Sequence, residues 1–192
     1  MERWLEANQD KVWCGKTISD LETHWDDKKT EKVKSLVASI IVGNSVMDMG
    51  CGTGDLIRYL KDVEYLGVDQ SPDMLERAKE LNPEAKFVQR NLYQMGDLPK
   101  FDTVVCLAVL HHQPNIEPGL SILLKQAKKC VIFSMWINDR DRHYPRQYRG
   151  SKGEFITWYT TEELAKRLRK YKFKVYKSIG YIWKDIYCVE VN

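Results

Sequence analysis

The sequence predicts an α/β domain built on a doubly wound, mostly parallel seven-stranded sheet with an antiparallel C-terminal hairpin strand. Three observations carry that expectation. From Ser45 onward, short apolar runs alternate with segments of helical period, the pattern of parallel strands joined by helices. The first run passes straight into a helix through a turn holding Gly50, Gly52 and Gly54. The last two runs are joined by Gly180 and Tyr181, which leaves no room for a crossover helix and requires a hairpin.

Taken in order, residues 1–44 read as amphipathic and helical and carry Trp4, Trp13 and Trp25. They are expected to form an N-terminal cap or lid, with residues 45–192 as the domain proper. Strands are expected at 45–50 (SVMDMG), 64–69 (EYLGVD), 86–91 (KFVQRN), 101–109 (FDTVVCLAV), 129–136 (KCVIFSMW), 172–180 (KFKVYKSIG) and 183–191 (WKDIYCVEV). Helices are expected at 54–62, 72–81, 116–128 and 161–171. Ser71 supplies an N-cap with Pro72 in the first turn of the second of these, and Thr160 or Thr161 caps the last, ahead of Glu162 and Glu163. The segment between Ile137 and Trp158 is too long for an ordinary connection in a domain of this size, so a function of its own is expected there.

The chain has 192 residues, of which 43% are hydrophobic and 30% charged, a balance that excludes disordered and fibrous classes. A net charge of +3 argues against a surface that wraps nucleic acid all round. The apolar stretch from Leu36 to Val42 falls far short of the roughly 20 residues of a membrane-spanning helix. The opening MERWLEANQD lacks the basic-then-apolar order of a secretory signal, so a cytoplasmic location is expected. Cys14, Cys51, Cys106, Cys130 and Cys188 are odd in number, scattered and without a CxxC pair, which speaks against a zinc site or a disulfide framework. Cys106, Cys130 and Cys188 fall in strand-like runs, where a free thiol behaves as a small core residue.

The most informative segment is VMDMGCGTGDLIRYL. Its glycines fall two apart, as DxGxGxG, rather than in the GxGxxG spacing that seats a pyrophosphate, and the GKS or GKT of a phosphate loop is absent. Asp69 ends the next strand, where a carboxylate can accept both hydroxyls of a ribose. Asn91 and Leu92 follow the third strand, an amide able to bond an adenine edge beside an apolar side chain, and the fourth run ends in LAVLHH. In type, order and spacing this set resembles the class I S-adenosylmethionine-dependent methyltransferases, from about Ser45 to the C-terminus. The resemblance implies a Rossmann-like fold and S-adenosylmethionine as methyl donor. It also implies that Gly50, Cys51, Gly52 and Gly54 cradle the methionine part, with Asp48 anchoring the turn. Asp69 and Gln70 would flank the ribose, and Met74, Asn91, Leu92 and Leu107 would line the rest of the cofactor site. Asn91 departs from the aspartate commoner at its position.

Methyl transfer from a sulfonium is an in-line displacement that depends mainly on positioning, so a general base is needed only for a hydroxyl-like acceptor. His112, at the end of the fourth run, is the first candidate, followed by His111 and His143. Arg140, Arg142, Arg146, Arg149 and Tyr148 in the long segment are candidate substrate residues, because arginine forks recognise carboxylate or phosphate. The expected acceptor is a small acidic metabolite. An RNA-modifying enzyme is the alternative, using the arginine-tyrosine segment and the basic KRLRKYKFKVYK, whose apolar spacing otherwise marks a helix and an edge strand with solvated lysines. A non-catalytic cofactor sensor or partner subunit is the alternative of another class. No metal and no membrane are expected to take part.

Overall fold

The computed structural model describes residues 27–139, 147–149, 154–177 and 184–191. The elements run α1 (Asp27–Ser39), β1 (Ser45–Met49), β2 (Glu64–Asp69), α2 (Pro72–Leu81), β3 (Lys86–Gln89), β4 (Phe101–Cys106), α3 (Ile116–Gln126), β5 (Ala127–Trp136), β6 (Gln147–Arg149), β7 (Phe155–Thr157), α4 (Thr161–Leu168), β8 (Phe173–Tyr176) and β9 (Lys184–Glu190). Seven strands form one sheet in the order β3-β2-β1-β4-β5-β9-β8. The first five are parallel, while β9 runs antiparallel to both β5 and β8. Chain order reverses between β1 and β4, and in such sheets ligands bind outside the carboxyl ends of the strands at that switch.

Burial explains why the central strands read as continuous apolar runs: β1 and β4 are buried at every position. Met47, Val104 and Val131 pack with Leu120, Leu164 and Leu168 in one core layer. Val46, Val105 and Ile132 pack with Val33 and Val37 of α1 in the other. Of the segment 1–44, α1 covers 27–39, and residues 1–26, with Trp4, Trp13 and Trp25, lie outside the described residues.

Several boundaries differ from expectation, each for a local reason. The helix expected over 54–62 is a 3₁₀ helix over Asp55–Tyr59, entered from a left-handed Gly54 and ended by an extended Leu60. The strand expected over 101–109 stops at Cys106, because Ala108 adopts a left-handed φ of 58° and its N–H bonds the Ser134 hydroxyl at 2.7 Å. The third strand stops at Gln89, where the chain turns to bring Arg90 N–H to the Asp69 carbonyl. The third expected helix ends at Gln126, two residues early, since β5 begins at Ala127 without an intervening loop. The long segment after Ile137 is not plain loop: β6 and β7 pair antiparallel, and Tyr159 bridges Ile137. The Gly180–Tyr181 connection lies outside the described residues, but β8 and β9 are antiparallel neighbours as a hairpin requires.

Candidate active site

The glycine turn sits at the carboxyl end of β1 and is bound to the next strand. Gly50 and Cys51 N–H groups both donate to the Val68 carbonyl, at 2.7 and 3.1 Å. Gly50, Gly52 and Gly54 have φ values of 76°, 54° and 78°, conformations open to glycine and strained for other residues. A Cβ on Gly50 would fall 2.2 Å from Val109, so the turn lies directly against the segment leaving β4. A Cβ on Gly52 would meet nothing within 4 Å. The turn therefore borders open space at the switch point, a cradle that fits the methionine part of the implied cofactor.

Asp69 ties this turn to α2. Its Oδ2 accepts Gly52 N–H and its Oδ1 accepts Ser71 N–H, both at 2.9 Å. Burial raises its pKa above the ordinary carboxylate value, opposed by the backbone donors of Ser71, Gly52 and Gln70. The carboxylate keeps acceptor capacity beyond these backbone donors, as the implied ribose role would need. Ser71 caps α2 through its hydroxyl, which accepts Met74 N–H at 3.4 Å. Asp48 is 4% exposed and accepts the Tyr65 hydroxyl at 3.0 Å. Burial pushes its carboxyl up to about 7, against the Tyr65 hydrogen bond and the charge of Lys34. The hydrogen bond found at Asp48 thus braces β1 against β2. Cys51 is also pushed up, by burial and by Asp48 and Asp69.

On the other side of β2, the Asn91 amide donates to Gln70 Oε1 at 2.9 Å while its own oxygen accepts Tyr93 N–H. Gln70, expected beside the ribose, is thus joined to Asn91. Met74 and Leu92 are buried, and Leu92 packs where a Cβ on Gly119 of α3 would come within 2.8 Å. Leu107 is half-buried beside the second core layer.

His111 and His112 stand in a 3₁₀ turn, Leu110–His112, rather than in the strand. His112 Nδ1 lies 2.8 Å from the Phe155 carbonyl. A carbonyl only accepts, so this nitrogen carries the proton and, in the neutral ring, Nε2 carries the lone pair. The β6–β7 pair is fastened beside the same turn at two further points, and the segment after β3 at a third. Thr157 Oγ1 donates to the Gln113 carbonyl at 2.7 Å, Gln147 Nε2 donates to the Pro114 carbonyl, and the Tyr93 hydroxyl donates to Gln113 Oε1 at 2.8 Å, linking the β3 end as well. His111 is 2% exposed and stacks on Trp136 with ring centres 4.9 Å apart and planes at 14°; Trp136 meets Trp158 at 4.8 Å. Trp136 carries no motif in the sequence. Its one signal is its place as the last residue of an apolar run.

His143, Arg140, Arg142 and Arg146 lie outside the described residues. Tyr148 and Arg149 are placed by their backbone in β6, with Arg149 opposite Phe155. In the basic C-terminal run, Leu164 and Leu168 are fully buried, and Arg167 pairs with Glu117 at 3.0 Å. Among the described residues no group of His, Cys, Asp or Glu is placed to hold a metal, and no helix is long and apolar enough to cross a membrane.

Residues 47–130 match the model of a methyltransferase domain family. Over 97 residues the chain is 31% identical to a trans-aconitate 2-methyltransferase of Rhodopseudomonas palustris, covering 47% of this chain and 38% of that protein. Over 177 residues it is 21% identical to the tRNA (carboxymethyluridine(34)-5-O)-methyltransferase of Saccharomyces cerevisiae, covering 86% of this chain and 63% of that one. The fold matches the DhpI-SAM-HEP complex with a TM-score of 0.70 at 17% identity, over 89% of this chain and 91% of that chain.

Proposed function

We propose that this chain, which carries the match to a methyltransferase domain over residues 47–130 and the fold of class I S-adenosylmethionine-dependent methyltransferases, transfers a methyl group from S-adenosylmethionine to a carboxylate oxygen of an acidic acceptor. One observation carries the reading. The two kinds of curated relative differ in substrate size, yet both are named for acceptors that bear a carboxyl group, aconitate and carboxymethyluridine. The arginine-rich segment after Ile137 is consistent with an anion, and Arg149 stands in register with Phe155, whose carbonyl holds His112.

Bound S-adenosylmethionine would supply a methyl group made electrophilic by its sulfonium. The chain's part is to bind, aim and exclude water. Gly50, Cys51, Gly52 and Gly54 would hold the methionine end, Asp69 the ribose hydroxyls, and Gln70, Met74, Asn91, Leu92 and Leu107 the remainder, with Asp48 steadying β1. A carboxylate is already anionic at neutral pH and has no proton to lose on methylation, so no general base is required. His112 would then be a positioning residue, fixed by β7 at the wall of the cleft.

The acceptor is a small acid in the leading reading. The RNA-borne reading is favoured by one observation, the 86% of this chain aligned with the yeast tRNA enzyme. Labelled S-adenosylmethionine offered with a panel of di- and tricarboxylic acids, and separately with bulk tRNA, is expected to label the acids. Label in tRNA alone moves the acceptor onto RNA, and label in neither rejects the carboxylate reading.

A further inference from the structure

We infer that Trp136 and Trp158, backed by the buried ring of His111, form the wall on which the methyl acceptor lies, so that the acceptor presents a planar, conjugated face beside its carboxylate. This rests on the carboxylate reading and narrows it. The rings come from separate places in the chain: the 3₁₀ turn after β4, the last residue of β5, and the approach to α4. Parallel β4 and β5 are in register, with Cys106 opposite Phe133, so their carboxyl ends lie side by side. The turn that carries His111 also touches the glycine turn, since a Cβ on Gly50 would fall 2.2 Å from Val109, two residues before His111. The segment that leads into the His111 turn therefore starts against the glycine turn proposed to hold the methyl donor.

The wall is built to stay in place. Asn138 N–H donates to the Tyr159 carbonyl at 2.9 Å, and Tyr159 N–H donates to the Trp136 carbonyl at 3.2 Å. This short ladder locks the backbone next to both tryptophans. Within the cluster His111 is buried, while Trp136 and Trp158 remain half-buried. Two adjoining half-buried indoles at the carboxyl edge of the sheet offer an apolar ring surface on which a ligand ring can stack. A fixed ring face selects for flatness. It favours a conjugated acid by offset stacking and gives nothing comparable to a saturated acid of equal charge.

The test is equilibrium binding, with S-adenosylhomocysteine present, of acids matched in charge and differing in planarity. One pair is trans-aconitate and its saturated counterpart tricarballylate; the other is orotate and dihydroorotate. 5-Carboxymethyluridine, free and within a short oligonucleotide, tells a free ring from an RNA-borne one. The planar member is expected to bind about tenfold tighter or more, as base–aromatic stacking does elsewhere. Trp158→Ala should abolish that preference, Trp158→Phe should keep most of it, and neither should alter S-adenosylhomocysteine affinity. Equal affinity within both pairs, no binding of any probe, or undiminished preference in Trp158→Ala overturns the proposal. Methyl transfer to the same acids reads the underlying claim separately. Selective binding with no acid labelled removes the carboxylate reading and leaves the wall. Label passed equally to flat and saturated acids removes the wall and leaves the carboxylate reading.

Discussion

At the scale of single residues, three side chains of the proposed site give separable outcomes. Asp69 joins the glycine turn to α2 through two 2.9 Å bonds. Asp69→Ala is expected to weaken S-adenosylmethionine binding at least tenfold by calorimetry, since a charge-assisted acceptor is lost there. Asp48 behaves differently, because its raised pKa makes folding take up a proton. Between the unfolded value of 3.8 and the folded value of about 7, the native chain binds more protons than the unfolded one. Its stabilising contribution is fully present below the lower value, is lost as pH rises through the upper, and is constant above it. Melting temperatures of Asp48→Asn measured across that window should vary less with pH than those of the parent; an unchanged pH profile would contradict the assignment. His112 separates two chemistries. Replacing an essential general base typically costs 10²–10⁴-fold in turnover, whereas a positioning ring facing a carboxylate acceptor should tolerate His112→Gln with a loss of roughly tenfold or less.

At the scale of elements, the β6–β7 pair is the unexpected feature, and its attachment to the turn after β4 defines how the cleft is walled. Arg149 lies in that pair, opposite Phe155. Arg149→Ala is expected to raise the acceptor KM about tenfold with S-adenosylhomocysteine affinity unchanged and little dependence on salt, as for one bidentate contact. A modest effect spread over several arginines, with affinity falling steeply as salt rises, would indicate phosphates and an RNA acceptor instead. The contrast between this pair and the rest shows what sequence can express. Buried strands such as β1 and β4, the Ser71 cap and the Thr160 capping box are local chemistry, and their residues announce them. The glycine turn and Asp69 are legible for the same reason, since left-handed backbone and a carboxylate at a strand end each demand a residue type. β6 and β7 have three residues apiece, too few for a period, and are held by bonds to Gln113 and Pro114 that span more than thirty positions. The stacking of His111 on Trp136 joins β4 to β5 across the sheet, and no spacing within either run encodes it.

At the scale of the whole molecule, the sheet order sets everything else: reversal between β1 and β4 opens one crevice, and the glycine turn, Asp69, the histidine turn and the tryptophans all gather at its carboxyl edge. The acceleration asked of such a site is positional, so turnover should survive EDTA; activity lost on chelation and restored by a divalent ion would instead demand a Lewis acid. The proposed acceptor makes the product a methyl ester, and esters differ from N-methyl, C-methyl and ether products in one simple respect, their cleavage by mild alkali. The most direct measurement is therefore the fate of the transferred label. Product formed from methyl-labelled S-adenosylmethionine should release its label as volatile methanol after brief alkaline treatment, and label that stays with the acceptor through that treatment would contradict carboxylate methylation.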